Sequence, residues 1–494
     1  MKRRSRQRRD KMNKQKYIRI FLLSFLSFVT LACGQQRTKE VKRPNLLLIS
    51  VDTLRADRLG CYGYERDTSP RIDQLAESGV LFENAFSSSP KTTPSHMSIL
   101  TGLYPRVHNV YMWKMDPGGT FRGDTLSENI PTLAEILKDY GYANVAFTGG
   151  ANVAGRMGFD RGFEIYDEDA DTEAACRWLE ENPGKRFFLF YHTYYTHDPY
   201  LPPPPYDTIY NPGYSGNIPS RKELMEETGV EEGEDWHGIW QVMHEKFWAG
   251  VDVADPADRL QLTALYDGAI SYVDNELIRK LLETLEKTGN LDNTLIVLTS
   301  DHGEEFLEHG RLEHNSLHRE VARVPLIMRF PAAVPEGIRI EELVRSVDIL
   351  PTILDILAIP LTTAVQGTSL RPLLTGGEIP ELSVYADFND YLPPVIESIR
   401  SGPWFLLMDQ RERVSEEIGQ EEGSTFFSLY NTENDPDEAV DVSSRHPEIA
   451  EKLKKRLRTV RIESSRKHAE EAWDQQPGEM DIKNMERLKA LGYL

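Results

Sequence analysis

Residues 92–102 read Thr92-Thr93-Pro94-Ser95-His96-Met97-Ser98-Ile99-Leu100-Thr101-Gly102. A hydroxyl stands two residues before a proline that can open a helix, where its missing N–H costs little because no intrahelical partner exists there. A hydroxyl so placed faces free backbone N–H groups and the positive end of the helix dipole, a setting that suits a tetrahedral anion. His96 follows one helical turn after Thr92. An imidazole can be neutral near pH 7, so it could orient the hydroxyl or take its proton; the alternative is a ring satisfied by a backbone carbonyl. The expectation is nucleophilic chemistry at Thr92 with His96 as its helper.

These residues need a scaffold. Asn45–Val51 is a nearly unbroken apolar run, which predicts a strand buried on both faces as in a parallel sheet. Asp52 follows that run, and Asp301-His302-Gly303 follows the run Leu295–Thr299 in the same way. In open α/β sheets, ligands gather beyond the carboxyl ends of the strands. Further strands are predicted at Ala143–Phe147, Phe187–Tyr191 and Pro325–Arg329, and helices at Ser69–Ser78, Pro94–Leu100, Thr132–Tyr140 and Leu260–Thr288. The alternation predicts an α/β fold, a doubly wound, mostly parallel sheet flanked by helices, over residues 44–378. Residues 206–256 interrupt it with Gly, Pro, acidic residues and three tryptophans, Trp236, Trp240 and Trp248. They form either an insertion that shapes access to the site or a surface excursion with its own small cluster. Residues 379–494 read as a small C-terminal α+β subdomain. It has short strands at Leu382–Tyr385, Ser398–Ser401 and Trp404–Met408 in a small antiparallel sheet, and a long charged helix from Pro447 to about Trp473.

The Thr92–Gly102 stretch resembles the sulfatase signature, in which a Cys or Ser is followed by x-Pro-Ser/x-Arg and then Thr-Gly. Ser300-Asp301-His302-Gly303, the passage Phe187–Tyr200 and the passage Phe426–Glu438 resemble the same family, part of the alkaline phosphatase superfamily, and the likeness spans roughly residues 44–460. It implies a metal site of Asp52, Asp301 and His302, with Thr92 itself as fourth ligand. One divalent ion (Zn, Mn or Ca) is expected, and the imidazole favours a transition metal. Coordination would lower the hydroxyl pKa. His197 falls near the family's site histidine, which implies contact with the transferred group or protonation of the leaving oxygen. His314 stands where sulfatases place a sulfate-holding Lys, and a second ion bound by His197 and His314 is left open. His192, five residues before His197, is a candidate for substrate or a second metal, against a structural strand-end histidine.

The departures from the family pattern bear on the reaction. Thr92 replaces the Cys or Ser, His96 replaces the Arg, and Thr53 stands where a second acid is common. The Gly-Lys-Trp-His-Leu passage has no counterpart at Phe147-Thr148-Gly149-Gly150-Ala151-Asn152. Sulfatases convert Cys or Ser to formylglycine; threonine would give a ketone, so no formylglycine is expected and Thr92 should act as a plain hydroxyl in a subgroup of its own. The expectation is a metal-dependent hydrolase of sulfate or phosphate esters that leans to phosphate through a phospho-threonine intermediate. The alternatives are a phosphodiesterase or headgroup phosphotransferase, and a non-catalytic glycan-binding lipoprotein. The partner is a small-molecule or glycan ester.

Met1–Arg19 holds ten Lys/Arg and one acid, and Ile20–Ala32 is almost wholly apolar. A basic segment before an apolar one too short to span a bilayer predicts an export leader. Thr30-Leu31-Ala32-Cys33-Gly34 resembles a bacterial lipoprotein cleavage box, so Cys33 is the expected lipidation site and residues 34–43 a tether. The expected location is the bacterial cell envelope, on the periplasmic side, with membrane contact only through the lipid. Removing residues 1–32 moves the net charge from −21 to about −30. No basic patch remains for nucleic acid. Cys61 and Cys176 alone make no disulfide framework.

Overall fold

The computed structural model describes residues 43–111, 113–115, 121–169, 172–229, 240–388, 396–409, 426–470 and 478–479. The expected leader, Cys33, the tether up to residue 42, Trp236 and Trp473 lie outside them.

Nine strands build the central sheet: β1 (Asn45–Val51), β2 (Val80–Phe86), β3 (Ala143–Phe147), β4 (Ile165–Asp167), β5 (Phe187–Thr193), β6 (Thr294–Thr299), β7 (Arg323–Val324), β8 (Leu326–Arg329) and β9 (Ile338–Arg345). β1 lies between β5 and β6, parallel to both, and β3 and β4 continue the parallel set beyond β5. β8 pairs antiparallel with β6 and β2; β7, cut from β8 by Pro325, extends the pairing along β2, and β9 lies parallel to β2. The strand predicted at Pro325–Arg329 therefore runs against the others.

The alternation within β1 explains its unbroken apolar sequence. Leu46 and Leu48 enter one core, and Leu47, Ile49 and Val51 enter the other. Helices Thr92–Thr101, Leu133–Asp139 and Ile349–Ile356 cover the first face; Pro70–Glu77, Thr172–Glu181, Pro256–Tyr272 and Arg279–Lys287 cover the second. The helix predicted at Leu260–Thr288 begins earlier, at Pro256, where Asp255 caps the Ala257 N–H at 2.8 Å. It is broken by a π turn, Val273–Ile278, which presents buried Asp274 to the N–H groups of Arg71 and Ile72 at the start of the Pro70–Glu77 helix.

The described part of residues 206–256 forms helices Arg221–Thr228 and Trp240–Ala249, and Leu224, Met243 and Phe247 are buried in the second core. The described part of the segment thus packs on the main domain, with no separate cluster among its described residues. In the C-terminal part, Val384–Phe388, Ile396–Ser401, Trp404–Asp409 and Phe426–Asn431 form an antiparallel sheet in chain order. The Pro447–Glu470 helix lays Ala450, Leu453 and Leu457 on Tyr385, Ile399, Leu406 and Leu429. Burying each of those two leucines contributes about 2 kcal/mol.

Candidate active site

Asp52 leaves β1 and Asp301-His302 leave β6; the two strands are hydrogen-bonded neighbours, so the three side chains converge. Their ligand atoms all lie within 4.8 Å of one another. Asp52 Oδ1, Asp301 Oδ2, His302 Nε2 and Thr92 Oγ1 are buried, and each lacks a hydrogen-bond partner. A buried polar atom left unmatched costs on the order of 1–3 kcal/mol, and the three on Asp52, Asp301 and His302, with the Thr92 hydroxyl near Asp52, form a donor set that a divalent cation would satisfy. His302 Nδ1 donates to the Gly303 carbonyl at 3.0 Å, which leaves the Nε2 lone pair for a metal. Burial keeps that ring neutral, its pKa well below the usual histidine range.

The electrostatics agree. Burial raises the Asp52 carboxyl to about 6, against the lowering influence of His197, Asp301 and the nearby Thr92 hydroxyl. Burial and the Asp52 charge raise Asp301 to about 8. Without a cation, two adjacent buried carboxylates cannot both ionise at neutral pH; a divalent ion removes that conflict. Carboxylates with one imidazole suit zinc or manganese, so the residues present fit the expected ion.

Thr53, at φ 55°, fills the place of the second acid with its backbone: its N–H donates to Asp301 Oδ1 at 3.2 Å, and its hydroxyl turns to the Thr196 carbonyl at 2.8 Å. His192 lies behind Asp52. Its Nε2 donates to Asp52 Oδ2 at 3.3 Å and its Nδ1 accepts the Gly149 N–H at 3.3 Å, so it orients the carboxylate. That bonding matches the structural strand-end histidine, the alternative to a contact with substrate or a second metal.

The helix starts at Thr92, two residues before Pro94, because any first-turn N–H is unmatched and Pro is tolerated there. His96 is then the fourth residue after Thr92 within one helix, and its side chain points back along the helix. Nδ1 lies 2.9 Å from the Thr92 carbonyl and Nε2 lies 2.8 Å from Ser50 Oγ. Burial lowers its pKa to about 4. Both ring nitrogens are thus engaged, one by the Thr92 carbonyl and one by Ser50, which is the backbone-carbonyl alternative of the sequence reading.

His197 is buried with Nδ1 2.8 Å from the Asp198 carbonyl and 3.0 Å from Asp198 Oδ1. Burial opposes its protonation, but Asp198, Asp52 and Glu304 outweigh it and raise the pKa to about 10. His314 donates through Nδ1 to Glu304 Oε1 at 3.2 Å, and its ring lies 4.5 Å from that of His302 and 5.1 Å from that of His197.

Three participants were not singled out in the sequence. Glu304 is buried beside His314, with Oε2 unpartnered. Lys91, 8 % exposed and donating to Asn315 Oδ1 at 2.9 Å, brings a positive charge to His302 and His314. A signal for it exists: a lysine just before a helix opposes the dipole, so such a placement asks for a reason. Asp198 is the third, held through Oδ2 by His244 Nε2 at 2.9 Å and Trp248 Nε1 at 3.0 Å, both from the 206–256 segment.

A mostly parallel sheet with this acid–imidazole group beyond its strand ends is the architecture of the alkaline phosphatase superfamily. Residues 44–359 match the family described as Sulfatase, and residues 307–463 match the C-terminal region of N-sulphoglucosamine sulphohydrolase. The chain belongs to the sulfatase family, metal-dependent hydrolases of ester bonds. It is 26% identical over 427 residues to the N-acetylglucosamine-6-O-sulfatase of Bacteroides thetaiotaomicron, covering 72% of this chain and 75% of that protein. It is 27% identical over 420 residues to the multifunctional alkaline phosphatase superfamily protein PehA of Trinickia caryophylli, covering 70% and 81%. The phosphonate monoester hydrolase of Agrobacterium radiobacter shares the fold at TM-score 0.64 and 21% identity, over 85% of this chain and 96% of that one.

Proposed function

We propose that this hydrolase uses the Thr92 hydroxyl as nucleophile on phosphate or phosphonate esters, beside one divalent ion held by Asp52, Asp301 and His302. The observation that carries the reading is the group of four buried, unpartnered atoms on these residues. A bound divalent ion lowers the pKa of a coordinated hydroxyl and offsets charge on the transferred group. Thr92 Oγ1, its proton released to solvent, attacks phosphorus, the ester P–O bond breaks, and the departing oxygen takes a proton from His197. Water then attacks phospho-Thr92: one of its protons returns to His197, the Oγ1–P bond breaks, and Thr92 Oγ1 regains a proton from solvent. His197 is charged at neutral pH because of Asp198, as a general acid must be. Lys91 and the first turn of the Thr92–Thr101 helix supply positive potential for the anionic group. His192 holds Asp52, and His314, held by Glu304, orients substrate.

The preference for phosphorus rests on Thr92, which cannot become the aldehyde of a formylglycine, and on the missing lysines at 147–152 and at His314. Phosphonate monoester hydrolases of the same fold support it. The second reading is sulfate ester hydrolysis through unmodified Thr92; Lys91 favours it by restoring one anion-binding cation, as do the sulfatase relatives. Assays of aryl sulfate, aryl phosphate monoester, phosphate diester and phosphonate esters with Zn²⁺, Mn²⁺ or Ca²⁺ test the choice. The proposal expects at least about tenfold higher kcat/KM on a phosphorus ester, or 1.4 kcal/mol of transition-state discrimination; a preference for sulfate overturns it.

The proposal extends to location: an exported protein anchored in the cell envelope through Cys33. C33A should then leave the precursor uncleaved and abolish membrane partitioning of the mature protein. Unchanged processing and partitioning would contradict the anchor.

A further inference from the structure

One residue beyond Glu304 lies a second group of metal-competent side chains. Glu305 sits in a two-residue strand, Glu305–Phe306, paired with Leu312–Glu313; His309 lies in the intervening turn, and Glu320 in the short helix Arg319–Ala322. Their ligand atoms all lie within 4.8 Å of one another. Glu305 is 0% exposed and Glu320 is 8% exposed. Both carboxylate oxygens of Glu305 lack a hydrogen-bond partner.

The neighbouring charges are committed elsewhere. Arg400 pairs with Glu438, His318 Nδ1 lies 3.0 Å from Glu438 Oε2, and Arg311 is bonded to Asp409 at 3.3 Å. His309 Nε2 lies 3.1 Å from Glu320 Oε2. Among the described residues no lysine or arginine forms an ion pair with Glu305, and the positive groups acting on it are His309 and Arg311. The His309 ring stacks on that of His318, with centroids 3.6 Å apart and planes at 13°. Burial opposes a charge on His309, but Glu320 and Glu305 outweigh burial and raise its pKa, so a divalent cation at this place takes over the role of the imidazole proton. A proton could satisfy one Glu305 oxygen but would leave the other unmatched; a divalent cation satisfies both carboxylates and the imidazole together.

We propose that Glu305, His309 and Glu320 form a second divalent-cation site, of the carboxylate–imidazole chemistry that suits Zn²⁺ or Mn²⁺. The ion pins the 305–313 hairpin to the Arg319–Ala322 helix. Glu304, which holds His314, is covalently next to it, so the site stiffens one wall of the active site without joining the reaction. This inference does not depend on which ester is cleaved or on the role of Thr92.

The test is an ion count on the full chain, equilibrated with zinc alone, dialysed and measured by inductively coupled plasma mass spectrometry. E305Q and H309N should each lose one zinc per chain relative to wild type. D301N should also lose one and keep another, and D301N/E305Q should lose both. The D301N measurement leaves the proposed ligands intact, so it stands even if E305Q fails to fold. A D301N chain that holds no zinc overturns the proposal, as does a folded E305Q chain with the wild-type count or a double variant that loses no more than D301N.

Discussion

Asp198 Oδ1 lies 3.0 Å from His197 Nδ1, while Oδ2 of the same carboxylate accepts hydrogen bonds from His244 and Trp248. A carboxylate fixed at both oxygens fixes the ring it faces, as the buried acid does in a catalytic triad. The 206–256 segment therefore does more than cover the core; it sets the orientation and charge of the imidazole proposed to protonate the leaving group.

If His197 protonates the departing oxygen, H197A should cost most where that oxygen is most basic. The expected loss in kcat is about 10²–10⁴-fold for alkyl esters and much less for nitrophenyl esters. Comparing the two substrate classes checks this, and equal losses would contradict the role.

His244 acts through Asp198, so H244A should lower kcat by about 10-fold, the size of an outer-shell effect, with KM nearly unchanged. H244Q, which keeps a donor for Asp198, should recover most of the rate. A change confined to KM would instead place His244 in contact with substrate.

Chelation should abolish turnover, and D301N should lower kcat/KM by at least about 10³-fold, several kcal/mol of transition-state stabilisation. Activity after dialysis against chelator, with and without added zinc or manganese, is the check. Turnover indifferent to both would remove the metal from the account.

Glu438 supplies a pH-dependent part of the stability. Burial alone would raise its carboxyl, but Arg400 and His318 outweigh burial and hold it at about 2, below its ordinary value of 4.5. A depressed carboxyl stabilises the fold fully above its unfolded pKa, and the contribution is lost as pH falls through the folded one. Roughly 3 kcal/mol should therefore disappear between about pH 4.5 and pH 2. Thermal melts of wild type and E438Q should differ widely at pH 7, draw together as pH falls below about 4.5 and meet near pH 2; a constant gap would contradict the assignment.

The parts legible in the sequence were those governed by local pattern. The run Asn45–Val51 announced a strand buried on both faces, and Asp52, Asp301 and His302 could be placed because each follows such a run. For His96 the sequence left two readings open, and helix register decides the contact of the ring. With the first helical residue at Thr92 in place of Pro94, the ring meets a carbonyl and not the hydroxyl. Glu304 and Lys91 meet their site through long-range packing, and His244 lies 46 residues from Asp198 in a segment with no periodicity that points to it. Such contacts depend on tertiary structure that neither spacing nor composition encodes.

The most direct test of the central claim is mass spectrometry of the Thr92 peptide after rapid acid quench during turnover, with T92A in parallel. Thr92 should carry a phosphoryl adduct during turnover, absent without substrate, while T92A shows no turnover and no adduct though its Asp52–Asp301–His302 site still binds the ion. A T92A enzyme that turns over at the wild-type rate, or an adduct on any other residue, would contradict the account.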